Sequence, residues 1–201
     1  MNRKKNAVPT RGKGLLETFL SNKRANIANQ LISRELRAGR LLDIGCGTYP
    51  CFLEKTEFKE KVGLDKTTSN IIGNPAFSLV NFDIEADNII PFRDRYFDVV
   101  TMLAVIEHIK AERVIRIVEE CYRILKDKGL LIITTPAFWT ERLLKTMAII
   151  GLVSIEEIAE HKDVYNHSKL RLILHSGWFS KEKVTLGYFE LHMNIWVVAV
   201  K

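Results

Sequence analysis

Leu41-Leu42-Asp43-Ile44-Gly45-Cys46-Gly47-Thr48 is the stretch on which the fold turns. A short apolar run ending in Gly-x-Gly reads as a buried strand entering a tight turn. Glycines there let the backbone bend sharply and let a ligand approach with no side chain in the way. Many nucleotide-binding folds share such a turn. The dinucleotide fingerprint needs a third glycine in the sixth position. That place is Pro50, which argues against NAD.

Outward from this turn the pattern alternates. Val62-Gly63-Leu64-Asp65 is a second strand, residues 79–84 a third, and the apolar, β-branched run 97–103 a fourth. Residues 111–125 are helical, with Val114, Ile117, Val118, Cys121, Ile124 and Leu125 on one face. Asp127-Lys128-Gly129 makes a turn, and residues 130–135 form a fifth strand stopped by Pro136. Continuous apolar strands separated by helices predict a parallel sheet covered on both faces. Residues 183–190 and 194–201 read as a terminal hairpin, one strand of which must run antiparallel to the rest. The segment between is longer than a plain crossover. It reads as helices over 143–150, 156–162 and 168–175, the last ended by Gly177, and is assigned partly to a cap over the site.

The chain has 201 residues, enough for one α/β domain, with 47% apolar and 27% charged residues. No stretch reaches the roughly 20 apolar residues a membrane span needs. Residues 1–10 are basic with no apolar core behind them, so no secretory signal is expected. Three cysteines, Cys46, Cys51 and Cys121, are too few and scattered for a disulfide framework or a zinc site. The expectation is a cytoplasmic protein with reduced thiols and no metal. The net charge of +6 is uneven. Residues 1–40 hold ten Lys/Arg against Glu17 and Glu35, whereas the remainder has a charge of −2. Apolar residues at helical spacing (Phe19, Ile27, Leu31, Leu36) predict one or two amphipathic helices up to Ala38, ended by Gly39. The chain thus divides into a basic arm and helix, 1–38, and a single domain, 39–201, with a cap insertion around 137–180. A basic arm can attract phosphates of lipid or nucleic acid, or simply be solvated.

Two acids follow the glycine turn at telling places. Asp65 ends the second strand twenty residues past Gly45, where a carboxylate can accept from both ribose hydroxyls or cap a helix. Asp83 ends the third strand. It could accept from an exocyclic adenine amine while the N–H of Ile84 donates to a ring nitrogen.

Taken together, the motif around Gly45, Val62-Gly63-Leu64-Asp65, Asp83, Pro91-Phe92-Arg93-Asp94-Arg95-Tyr96-Phe97-Asp98-Val99-Val100, Glu107-His108-Ile109 and Arg123-Ile124-Leu125-Lys126-Asp127-Lys128-Gly129 resemble the successive motifs of class I S-adenosylmethionine-dependent methyltransferases. Within them, the small-molecule, ubiquinone-biosynthesis-like subgroup is the most similar. The resemblance covers roughly residues 38–136, with a weaker likeness at His161-x-x-x-Tyr165, Leu170 and Gly177-Trp178-Phe179. It implies a Rossmann-like α/β fold: a seven-stranded, mostly parallel sheet with a C-terminal antiparallel strand and helices on both faces. It implies S-adenosylmethionine as cofactor and S-adenosylhomocysteine as product. Gly45, Cys46 and Gly47 would line the methionine part, with Asp43 helping to hold its ammonium. Asp65, with Lys66 beside it, would hold the ribose, and Asp83 and Ile84 the adenine. Leu103 and Ala104 would contact the methionyl end, while Asp98 would order its strand. One departure stands out: the family often has a third glycine where Tyr49 stands, so Tyr49-Pro50-Cys51 must send the loop along a different path.

Methyl transfer from a sulfonium is an in-line displacement, so the protein mainly aligns the acceptor and excludes water. A hydroxyl or ammonium acceptor also needs a base, and histidine suits this near neutral pH. His108, after the fourth strand, is the candidate base or acceptor-orienting group. His161 and Tyr165 are candidate substrate contacts or packing groups. His167, His175 and His192 read as structural or surface residues. Cys46 has no histidine partner by spacing and is what a tight turn allows. Trp139, Leu143, Leu144, Met147, Ile149 and Ile150 form an apolar stripe that is core, pocket lining or a surface resting on a membrane. This hints at a lipid-like or glycolipid acceptor. Two other readings stay open. One is an RNA methyltransferase gripping phosphates with the arm; against it, the arm lacks interleaved aromatics, and Leu103-Ala104-Val105-Ile106 is no Asn/Asp-Pro-Pro-aromatic motif. The other is a non-catalytic cofactor-binding partner subunit.

Overall fold

The computed structural model describes residues 16–68, 75–87, 89–140 and 162–201. Seven strands, β1 (Arg40–Ile44), β2 (Glu60–Asp65), β3 (Ser78–Asn81), β4 (Phe97–Leu103), β5 (Leu125–Pro136), β6 (Val184–Phe189) and β7 (Asn194–Val200), form one sheet in the order β3-β2-β1-β4-β5-β7-β6. The first five pair in parallel. β7 runs antiparallel to both β5 and β6.

Neighbouring strand residues point to opposite faces, and each face has its own helices. Leu41, Val99 and Ile132 pack with Ala25 and Ala28 of α1 (Glu17–Leu31), Ile32 just after it, and Phe52 and Leu53 of α2 (Cys51–Lys55). Leu42, Val100 and Ile133 pack with Val114, Ile117, Val118 and Cys121 of α3 (Ala111–Ile124) and Leu170 and Leu174 of α4 (His167–Ser176). A helix buries one such stripe when apolar residues recur every three or four positions, as they do in α3.

Two element boundaries differ from the sequence reading. β3 stops at Asn81, because the Asp83 carboxylate takes the Glu85 N–H at 2.9 Å and starts a turn. β5 begins at Leu125, directly after α3. The residues read as a turn form a bulge inside it, with Lys128 at φ 66° and the register against β4 shifting between Phe97 and Val99. α4 ends at Gly177 as read, and the left-handed residue follows it at Trp178 (φ 80°). The Phe179 N–H reaches back to Leu174 O at 3.0 Å, the bond that wraps such a helix end. Gly177 is needed one place earlier, since a Cβ there would lie 2.3 Å from Val118 Cγ1.

The flanks of 141–161 are tied to the fold. Ala137 N–H donates to Met193 O (2.9 Å) and Lys162 N–H to Glu107 O (2.7 Å). Tyr165 is fully buried, and its hydroxyl donates to Ile106 O at 3.1 Å. It is therefore a packing group. The helix read over 143–150, nearly all of that over 156–162, and His161 lie outside the described residues.

Candidate active site

The sheet changes direction between β1 and β4: one runs on to β2 and β3, the other to β5. Loops leaving adjacent strands part at such a point and open a crevice at the C-terminal strand ends. The sequence candidates gather there. Gly45 (φ 72°) and Gly47 (φ 69°) both adopt the left-handed backbone that disfavours a Cβ. Their needs differ. A Cβ on Gly45 would strike Val105 Cγ2 at 2.4 Å, whereas one on Gly47 would meet nothing within 4 Å. Gly45 is a packing glycine and Gly47 faces open space.

Asp65 is buried beside that space. Its Oδ2 accepts the Gly47 N–H (3.0 Å), and its Oδ1 accepts the Thr67 N–H (2.8 Å) and hydroxyl (2.6 Å). Lys66 next to it is exposed. Asp43 is buried deeper, with Oδ1 accepting from Thr101 Oγ1 at 2.6 Å. Burial pushes its carboxyl up from the usual 3.8 to about 7; Thr101 opposes this and the nearby Asp65 charge adds to it. The Cys46 thiol turns inward among Phe52, Leu53 and Leu41, so only its backbone can line the crevice. At the end of β4, Ala104 sits at φ 57°, held by its N–H on Thr134 O (2.9 Å) and Oγ1 (3.1 Å). Leu103 is half-buried just before it. Ile84 packs against the core, and Asp83 spends Oδ1 on its own turn.

His108 closes a short turn, Ile106–His108, and is half-buried there. Its N–H caps that turn on Val105 O at 3.0 Å. Pro50 (φ −75°, ψ 68°) bends the chain into an inverse γ-turn, with the Cys51 N–H on Tyr49 O at 2.7 Å. This turn replaces the third glycine, and Tyr49 stands exposed at its lip. Sequence reasoning missed Asn81, whose amide donates to Lys66 O (3.1 Å) and Thr68 O (2.9 Å) and so clamps the loop after Asp65. It also missed Thr101 and Thr134, which steady Asp43 and Ala104. A threonine reads as a strand former, and nothing in the chain marks its hydroxyl as a tether. No group of three or more His, Cys, Asp or Glu poised for a metal occurs among the described residues.

Residues 42–133 match the family model described as "Methyltransferase domain". This stretch is a methyltransferase domain, and the chain is an S-adenosylmethionine-dependent methyltransferase. Solved structures share the fold. A SAM-dependent methyltransferase from Archaeoglobus fulgidus is 19% identical at TM-score 0.64, over 90% of this chain and 94% of that one. One from Thermotoga maritima is 17% identical at TM-score 0.68, over 91% and 89%. Phosphoethanolamine N-methyltransferase 2 of Haemonchus contortus, in complex with S-adenosyl-L-methionine, is 16% identical at TM-score 0.64, over 90% and 52%. No curated protein matches. The methyltransferase uses S-adenosylmethionine, and the crevice fits it: Gly47 leaves the space a ligand needs, with a carboxylate at its side. No helix among the described residues is long and apolar enough to cross a membrane.

Proposed function

We propose that this methyltransferase transfers the methyl group to a small-molecule acceptor of lipid-like or glycolipid kind, acting in the cytoplasm as a member of the small-molecule, ubiquinone-biosynthesis-like subgroup. The observation that carries the reading is the open space over Gly47 beside the Asp65 carboxylate. The bound cofactor supplies an electrophilic methyl on sulfonium. Asp65 would accept from the ribose hydroxyls, with Lys66 beside it, and Asp83 and the Ile84 N–H would meet the adenine. Gly45, Gly47 and the Cys46 backbone would line the methionyl part with Leu103 and Ala104. Asp43 would offer negative charge to its ammonium. His108, at the end of the β4 loop, would take the acceptor's proton or orient it, with His161 as a second candidate contact. Residues 39–201 would act as one catalytic unit, and 1–38 as an appended basic arm. The resemblance of the Pro91–Val100 motif supports the subgroup. That one similar fold has been solved with phosphomonomethylethanolamine and S-adenosylhomocysteine supports a small acceptor.

Thermal unfolding with S-adenosylmethionine, S-adenosylhomocysteine and, as control, NAD tests the site. A ligand bound only by the folded state adds about 2.7 kcal/mol at a hundred times its dissociation constant. A shift with both sulfur compounds and none with NAD is expected. No shift would favour the non-catalytic partner reading. Once an acceptor is found, His108→Gln should lower turnover about a hundredfold while the cofactor shift persists.

A further inference from the structure

The β6–β7 turn has an unusual backbone. Glu190 (φ 51°), Leu191 (φ 55°) and His192 (φ 67°) are three consecutive non-glycine residues in the left-handed region. Met193 N–H closes the turn on Glu190 O at 3.0 Å. Leu191 and His192 thus hold the two central positions where a tight hairpin prefers Asn-Gly. Leu191 is 87% exposed, so burial offsets none of the cost. A strained turn that presents a bare leucine calls for a reason outside folding.

Its neighbours suggest one. β7 starts opposite Pro136, the last residue of β5, so the turn stands at the same C-terminal rim as the methyl-transfer crevice. Met193 O holds Ala137 N–H, next to Phe138 and Trp139, which are 54% and 45% exposed. α1 leads down to the start of β1, so its first turns also lie at this rim. Glu190 lies within electrostatic reach of Arg24 and Lys23. Lys23 sits over the ring of Phe19, which is 53% exposed. In sequence, residues 1–15 hold Arg3, Lys4, Lys5, Arg11 and Lys13 with no acid. Exposed apolar side chains on one rim, with Lys23 and Arg24 among them, match a bilayer surface with anionic headgroups. An RNA partner would want aromatics among the bases of the arm, and residues 1–15 hold none.

We propose that this rim, led by Leu191, Phe19 and Trp139 with Lys23 and Arg24, docks on an anionic lipid bilayer and brings the crevice to an acceptor held there. The proposal rests on the reading of the crevice as a methyl-transfer site.

Sedimentation of the full chain with phosphatidylcholine vesicles containing about a third phosphatidylglycerol, against pure phosphatidylcholine, tests it at low and high salt. Binding to the charged vesicles, weakened by salt, is expected. Leu191→Asn suits the left-handed backbone, so the fold should keep or gain thermal stability while partition falls about tenfold. Lys23→Ala with Arg24→Ala should cost roughly twenty-five-fold. Equal binding to neutral vesicles, or partition untouched by Leu191→Asn, would overturn the proposal. So would a preference for a single-stranded RNA oligonucleotide with no vesicle binding. Asp65→Ala must leave partition intact and Leu191→Asn the cofactor shift, so failure of docking and failure of the methyl-transfer reading are told apart.

Discussion

At the N-terminal ends of the parallel strands the polar groups are spent on each other, whereas at the C-terminal ends they stand beside open space. Before β4, Arg123 gives all its donors away: Nε and Nη2 to Glu120 (2.9 and 2.8 Å), Nη2 to Ile90 O (3.0 Å), Nη1 to Phe92 O (2.8 Å) and Asp94 (2.7 Å). Asp98 takes the Arg40 N–H (2.8 Å) and Lys126 Nζ (2.7 Å) on one oxygen, pressed against Gly39. Phe92 meets Phe97 edge-on at 4.9 Å. Across the sheet, Gly47 and Ala104 hold left-handed backbones, and Asp65 is a buried carboxylate beside the open space over Gly47. Each end thus makes a different demand on the same strands: one holds them in register, and the other exposes groups for a ligand.

Substitutions at matched positions should separate the two demands. Asp65→Ala should weaken S-adenosylmethionine at least a hundredfold by calorimetry, with melting little changed; a large loss of stability with affinity intact would break the comparison. Gly39→Ala should do the reverse. Its Cβ would sit 2.2 Å from Asp98 Cγ, displacing a carboxylate with two bonds, at about 3 kcal/mol in denaturant melts. Arg123→Lys keeps the charge but loses the fork, and about 2 kcal/mol of stability should go with it, cofactor affinity being unchanged. The smallest effect concerns Asp43. Its folded pKa is raised to about 7, so the protonated form favours folding. That contribution is complete below the unfolded value near 4 and is lost as pH rises to 7. A cation bound beside it favours the carboxylate, so affinity should rise about tenfold from pH 6 to pH 8. Asp43→Asn should flatten that profile in binding titrations.

The central strands and the glycine turn were legible because apolar runs and glycines carry them: Leu41 to Gly47, Val62 to Asp65 and Phe97 to Leu103 each read as they fold. Arg123 was legible only as part of a resemblance, since its five bonds join its own helix, at Glu120, to the separate stretch from Ile90 to Asp94. The end of α4 at Gly177 was legible too, but not that packing against Val118 is what demands glycine there. Cys46 was placed in the right turn, but which of its two sides meets the crevice depends on Phe52 and Leu53 from the following helix.

The brevity of α2 reaches beyond the finished structure. Arg40 pairs with Glu60 across only twenty residues, whereas Leu41 pairs with Val99 across fifty-eight. Closing the shorter loop costs roughly 1 kcal/mol less chain entropy, which favours early contact between β1 and β2 during folding. Asp65 ends the second strand of that first pair, and Gly47 lies in the loop just after the first strand. The ligand-facing end would then exist in outline before the register of the rest of the sheet is set, and a nascent chain could meet its cofactor early.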